Sequence, residues 1–392
     1  MSDWLSNSVA CDCYDKLSML TYSHCTINLS KYSFIMSLPV RFRLLQDVDN
    51  YCPDTLDLSL DSEAKAYWFK CFNRLVMKFE QQAAKSQHAD PTAVDRAAQF
   101  RTYYLDQLQQ LQQDKSGLTP KPLSIRDLLE LNETSLRRFG FDDPWKEQKR
   151  VENKASIKKL SSRLQYIDQI VDTRTKWTEI IKGVLAGNMF DWGAQAVAQI
   201  LENDANFGLE EALDQIQKRP WLIDCLDQWL DRTQEPAHQC ATIFTDNSGI
   251  DIVLGILPLV RQLLIQKTKV LLCANIKPAL NDITYDELQD LIKQCCTKCA
   301  IINEAYEQGR LQIFGNEQNG PCLDFRLLTA ELCDEILKSD LLIIVGMARA
   351  LHTNLNAKFT CETLKLAVVK NEWLAKRLGG ETFSVICKYE NI

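Results

Sequence analysis

The chain has 392 residues, 46% hydrophobic and 25% charged, enough to bury a full core in one large domain or two subdomains without covalent staples. Its formal net charge of −7 is spread along the sequence and not gathered in a tail, so no polyanion-binding surface is advertised and no nucleic-acid partner is expected. Fifteen cysteines, an odd number with no hydrophobic leader ahead of them, read as reduced thiols of a cytoplasmic protein.

Residues 1–35 are rich in Ser, Cys and Tyr, precede a second methionine at Met36, and read as a poorly ordered extension. From Ala64 to Gln113 the apolar residues Trp68, Phe72, Leu75, Val76 and Phe79 recur at helical spacing, with Lys70, Arg74 and Lys78 between them. Lys115–Pro122 breaks this pattern with one glycine and two prolines, and helices resume at Ser124. A further helical run covers Asn153–Leu185, is interrupted at Gly187 and Asn188, and continues through Ala194–Leu201.

After Pro236 the texture changes to short β-branched apolar runs separated by amphipathic helices: Cys240–Thr245, Lys269–Ala274, Leu341–Val345 and Thr382–Lys388. Such alternation predicts an α/β layer with a mostly parallel sheet. Leu364–Val369 fits helix or strand, and helix is preferred because Thr363–Arg377 continues in helical register. The longest apolar run, Ile252–Ile265, is interrupted by Pro258, Arg261 and Gln262, short of the roughly 20 residues a membrane helix needs. No membrane association is therefore expected. The triplet Cys295, Cys296 and Cys299 lacks the second pair that a zinc site requires and reads as small side chains on a helix. The resulting division is an extension over 1–35, a mainly helical subdomain over 36–180 and an α/β domain over 181–392.

Chemistry concentrates at the ends of the expected strands, where open α/β sheets bind ligands. Asp246 and Asn247 follow the first long strand and offer hard oxygen donors suited to a divalent cation, and Ser248-Gly249 lets backbone N–H groups turn toward a phosphate. Helix capping explains Asp246 or Ser248 equally well. The second strand is followed by Pro278-Ala-Leu-Asn-Asp282, so a second carboxylate reaches the same edge, although Asp282 also suits the cap of a helix near Tyr285–Gln294. The third strand leads into Gly346-Met-Ala-Arg-Ala-Leu-His-Thr-Asn354, which brings Arg349, His352 and Asn354 to that edge, with Lys370 and Asn371 following. Two acidic ligands with an arginine and a lysine are what phosphoryl chemistry needs.

These segments, together with Ala186-Gly-Asn-Met-Phe-Asp-Trp-Gly-Ala194, Asn206-Phe-Gly208, Arg219-Pro-Trp-Leu222, Asp246-Asn-Ser-Gly-Ile-Asp251 and Phe383–Tyr389, resemble the metal-dependent damage-control phosphatase family over roughly Leu38 to the C-terminus. The resemblance is to the branch found as the phosphatase half of pantothenate-kinase-like fusion proteins. It implies a Rossmann-like α/β/α catalytic layer with an added helical subdomain, and hydrolysis of 4'-phosphopantetheine or its oxidised and damaged forms. It also implies a divalent ion, manganese, nickel, cobalt or magnesium, held by Asp246, Asn247 and Asp282, with Lys370 on the phosphate. Asp246, Asp282, Lys370 and Arg349 are the expected catalytic residues, while Asn188, Asp191, Asn354 and Lys370 are expected to face the substrate, a small phosphorylated metabolite. Trp192 and Trp221 are expected to pack between the helical and catalytic layers. Whether the chain forms a homo-oligomer is left open.

One departure stands out. Val345-Gly-Met-Ala-Arg349 replaces the Glu-Gly-Met-Gly-Arg of the branch it resembles, so a carboxylate and a glycine are missing. Ala348 enters left-handed backbone space less cheaply than glycine. This departure supports a second expectation, a protein that binds phosphorylated metabolites without turnover. A carboxyl methyltransferase ranks below both, since Asp246–Gly249 lacks a clustered glycine set.

Overall fold

In the computed structural model the described residues are 41–113, 122–204 and 207–392. The expected N-terminal extension, residues 115–121 of the glycine-proline break and Asn206 lie outside them. Seven strands form one sheet: β1 Ile223–Asp224, β2 Cys240–Phe244, β3 Lys269–Ala274, β4 Leu311–Gly315, β5 Leu341–Val345, β6 Glu362–Val369 and β7 Ser384–Glu390. Their spatial order is β1-β7-β6-β5-β2-β3-β4, and every neighbouring pair is parallel except β6 with β7.

Helices bury both faces of this sheet, which is why its central strands read as unbroken apolar runs. Along β5, Leu341, Ile343 and Val345 face one core cluster and Leu342 and Ile344 the other. The first cluster packs under the helices Lys146–Gln169, Thr173–Gly187 and Leu257–Ile265. The second packs under Ser62–Ser86, Ala93–Gln113 and Ile125–Arg138. The result is the expected α/β/α arrangement with abundant helix ahead of it, and both helical layers draw residues from before position 180.

Three expectations need correction. Leu364–Val369 is the core of strand β6, not a helix; the helix begins only at Glu372. Burial on both faces erased the two-residue alternation that would have marked it, and Lys365 is wholly buried with its ammonium on the carbonyls of Leu355 and Ala357 and on Glu390. The helical run Asn153–Leu185 is two helices, Lys146–Gln169 and Thr173–Gly187, and Asp172 caps the second by accepting from Thr175 N–H at 2.7 Å. Ala348 has no positive φ; within its segment the left-handed residues are Gly346 and Asn354. Cys295 and Cys299 are buried in the first core cluster.

β2 is flanked by β3 on one side and β5 on the other, so the chain reverses its direction of winding between β2 and β5. A crevice therefore opens outside the carboxyl ends of these two strands. The helix Ser62–Ser86 roofs it. Tyr67 bonds to Asn371 beyond β6, Trp68 meets His352 beyond β5 edge-on with ring centroids 5.2 Å apart, and Gln82 reaches the Pro144 carbonyl at 2.8 Å.

Candidate active site

Beneath that roof lies a cavity of about 590 Å³. Asp246, Asn247, Asp282, Asp191, Lys370 and His352 line its polar floor, while Trp68, Phe72, Leu75, Ile125 and Leu129 line its apolar wall. Two loops are zipped together to bring the first three residues to one place: Asn247 and Asp282 form an antiparallel bridge, Ile283 N–H donates to the Asp246 carbonyl at 3.0 Å, and the Ser248 hydroxyl donates to the Asn281 carbonyl at 2.8 Å.

Capping does not occupy these side chains. The helical turn that starts at Asp251 has no side-chain cap, and the helix Tyr285–Cys296 is capped by Thr284, whose hydroxyl accepts from Glu287 N–H in a capping box. Asp246 and Asp282 point inward instead. One terminal amine of Arg349 pairs with Asp246 and the other with Asp282, the latter at 2.6 Å. Asp246 also accepts from the carboxamides of Asn188 at 2.7 Å and Asn247 at 2.9 Å. Gly346 passes so close to this carboxylate that a β-carbon there would overlap it, and at φ 110° only glycine is relaxed.

Lys370 leaves the end of β6 and is fully buried, pairing with Asp191 at 2.8 Å and donating to the Asn188 carbonyl at 2.8 Å. Asn188 follows the helix Thr173–Gly187, and its side chain enters the site because Gly187 lets the helix end lie against the Asp251 backbone. Asn354 is not brought into the cavity. Its carboxamide bonds the Leu323 and Arg349 carbonyls and accepts from the Tyr51 hydroxyl at 2.6 Å, bracing the loop behind Arg349. Neither Trp192 nor Trp221 lines the cavity: the Trp221 indole donates to the Gln217 carbonyl and the Trp192 indole to Glu152. Val345 is buried in the apolar core.

Sequence reading gave Asp251 no role, although it closes the Asp246–Asp251 segment. Its Oδ2 accepts from Asn188, from Asn247 N–H and from the Asn247 carboxamide, and its Oδ1 is buried without a partner. Because the Asn247 amide nitrogen is committed to Asp246 and Asp251, its carbonyl oxygen is left free.

The electrostatics are those of an acid-rich pit. Burial, together with the Asp246 charge, pushes Asp251 up to about 7. Burial likewise raises Asp246 and Asp282, with Arg349 pulling both back. Burial works against the Lys370 ammonium, but Asp191 and Asp246 outweigh it and hold Lys370 above its ordinary value. Burial and the Lys370 charge depress His352 to about 4, so its imidazole is neutral at pH 7. Four carboxyl groups, Asp191, Asp246, Asp251 and Asp282, face two cations, Arg349 and Lys370, so acids outnumber bases on the floor.

Two carboxyl groups with a free carboxamide oxygen are the hard donors a divalent cation takes, and its charge would hold those acids ionised. Among the described residues no group of three or more His, Cys, Asp or Glu side chains has metal-binding geometry; here the third donor would be an asparagine.

The damage-control phosphatase ARMT1-like domain matches residues 69–386, a span that contains every floor residue of the cavity. The chain belongs to this family. Within it, the chain is 39% identical to the 4'-phosphopantetheine phosphatase of Mus musculus over 90% of its own length and 48% of that protein, so it spans about half of that relative. It is 32% identical to a damage-control phosphatase of Arabidopsis thaliana, covering 83% of this chain and 88% of that one. A DUF89 family protein of Pyrococcus horikoshii has a similar fold at a TM-score of 0.55 and 15% identity, covering 82% of this chain and 96% of that one.

Proposed function

We propose that the chain is a divalent-metal-dependent phosphomonoesterase, acting on 4'-phosphopantetheine and its oxidised or damaged forms and so limiting their entry into coenzyme A. The observation that carries the proposal is the convergence of Asp246, Asn247 and Asp282 with Lys370 on one buried floor where carboxyl groups outnumber cations. Asp246, Asn247 and Asp282 would hold the ion, manganese, nickel, cobalt or magnesium; when bound it polarises the phosphoryl oxygens and offsets their charge.

The chain's own residues do the rest. With two of its N–H groups on Asp191 and the Asn188 carbonyl, Lys370 keeps a third to donate to a phosphate oxygen, and Asp191 holds it in place. Arg349, fixed between the two acids, offsets charge as it develops. The roof residues Trp68 and Phe72 keep bulk water from the floor. The apolar wall has the size and character for an organic tail longer than the phosphate itself.

Family membership and the mouse relative support turnover over binding without turnover. Val345 packs in the apolar core, and Ala348 lines the cavity without a hydrogen bond to Asp246, Asp282 or Lys370, so the altered segment leaves the floor contacts in place. The proposal keeps the chain in the cytoplasm: its described cysteines are free thiols, and among the described residues no helix is long and apolar enough to cross a membrane.

The test is phosphate release from 4'-phosphopantetheine with manganese, cobalt or nickel, against Asp282→Ala. Release by the wild type that needs added metal, and a drop of at least about a hundredfold in the variant, is expected. Equal rates for the two proteins, or release in the presence of a chelator, would overturn the assignment.

A further inference from the structure

The helix Lys146–Gln169 contributes no residue to the cavity wall, yet its first turns stand directly behind the floor. Lys149, Glu152 and Asn153 occupy positions i, i+3 and i+4 and therefore share one face. Each grips a different site loop. Asn153 Oδ1 accepts from Gly249 N–H at 2.7 Å, two residues beyond Asn247. Glu152 Oε1 accepts from the Trp192 indole N–H at 2.7 Å, next to Asp191. Lys149, wholly buried, donates to the Asp282 carbonyl at 3.4 Å while paired with Asp143 at 3.0 Å and Glu287 at 2.9 Å.

The approach is close enough to constrain the backbone. Gly249 has φ 70°, and a β-carbon on it would stand 2.9 Å from the Glu152 β-carbon. Loops alone do not hold ligands to a fraction of an ångström; groups behind the ligands set their orientation and spacing.

We infer that this helix is a positioning brace, in which Asn153 sets the Asp246–Asn247 loop, Lys149 the Asp282 loop and Glu152 the Asp191 loop, so that the two metal-holding loops and the lysine-anchoring loop keep one spacing. The inference rests on the metal reading of Asp246, Asn247 and Asp282, and not on the choice of substrate.

Manganese titration by calorimetry on the full chain tests it. Asn153→Ala, which removes the acceptor for Gly249 N–H, weakens manganese binding by at least about tenfold, while Asn153→Asp, which keeps an acceptor oxygen there, recovers most of that loss. Thermal melting of both variants separates loss of fold from loss of spacing. Glu152→Ala, which frees the Asp191 loop alone, weakens inorganic phosphate binding to the manganese-loaded protein and leaves manganese affinity near that of the wild type. If the wild type binds no manganese, the metal reading falls and the brace with it. If the wild type binds and folded Asn153→Ala binds equally well, or folded Asn153→Asp is no better than Asn153→Ala, the brace alone is overturned. Unchanged phosphate affinity in folded Glu152→Ala overturns its third arm.

Discussion

Arg349 is 1% exposed and answers two carboxylates at once, while its Nε is buried without a partner. Deleting the guanidinium would leave Asp246 and Asp282 facing each other uncompensated in a dry site. Arg349→Met is therefore expected to bind manganese more tightly, since the incoming ion then meets two unpaired carboxylates, and to lose about a hundredfold in kcat for want of a fixed charge. Calorimetry and steady-state kinetics on the same preparation check both halves, and weaker metal binding would contradict the argument. A second buried acid offers a pH test. Burial pushes Glu133 from 4.5 up to about 7, against the opposing pull of Arg137 and the Asn132 amide. With its folded value raised, the stability Glu133 contributes is fully present below pH 4.5 and lost as pH rises through 7. Glu133→Gln, neutral throughout and still an acceptor for Asn132, should gain on the wild type across that window by up to about 3 kcal/mol. Urea midpoints at pH 4.5 and pH 8 measure the gain; a difference independent of pH would refute it. Among the site residues, Asp246 and Asn247 were legible because they follow the apolar run that forms β2, Asp282 because it lies in the loop after the run that forms β3, and Lys370 through the family resemblance. Asn354 was legible only as a neighbour of Arg349, and its left-handed φ of 65° turns it behind the loop. That turn leaves no mark in the order of residues.

At the scale of elements, β2, β3 and β5 declared themselves through β-branched apolar runs, and β7 was found two residues from its observed limits. β6 did not, for want of alternation, and β4 did not because it is an edge strand with only Leu311 fully buried. β1 has two residues and exists only through its pairing with β7. The roof and the brace were read as helices but not as parts of the site, because their contacts with it span from 40 to 304 positions of sequence. Helix packing sets the position of Asn188 in the same long-range way. Gly255 faces Gly183, and a β-carbon on Gly255 would lie 3.0 Å from the Gly183 carbonyl oxygen and 3.2 Å from Val184 Cα, both backbone atoms that cannot step aside. Gly255→Ala should therefore destabilise the protein by about 1 to 3 kcal/mol and lower its melting temperature. A stabilised variant would show that the two helices have room to separate.

Across the whole molecule, the last strand in the sequence is not the last in the sheet. β7 lies between β1 and β6, pairing with β6 over seven registered positions from Thr363–Glu390 to Val369–Ser384. Lys365 of β6 locks it further through Glu390, whose carboxyl sits at about 2 because, against burial, Lys365 holds it ionised. A chain ending at Phe383 is expected to lose its cooperative thermal transition, and a melting curve like that of the full chain would refute this. The same insertion orders events during synthesis. Asp246 and Asp282 emerge early, but β6, which carries Lys370, has only one neighbour until the final strand arrives. A nascent chain thus carries Asp246, Asn247 and Asp282 while lacking the finished sheet that positions Lys370, and the floor is complete only once β7 has docked beside β6.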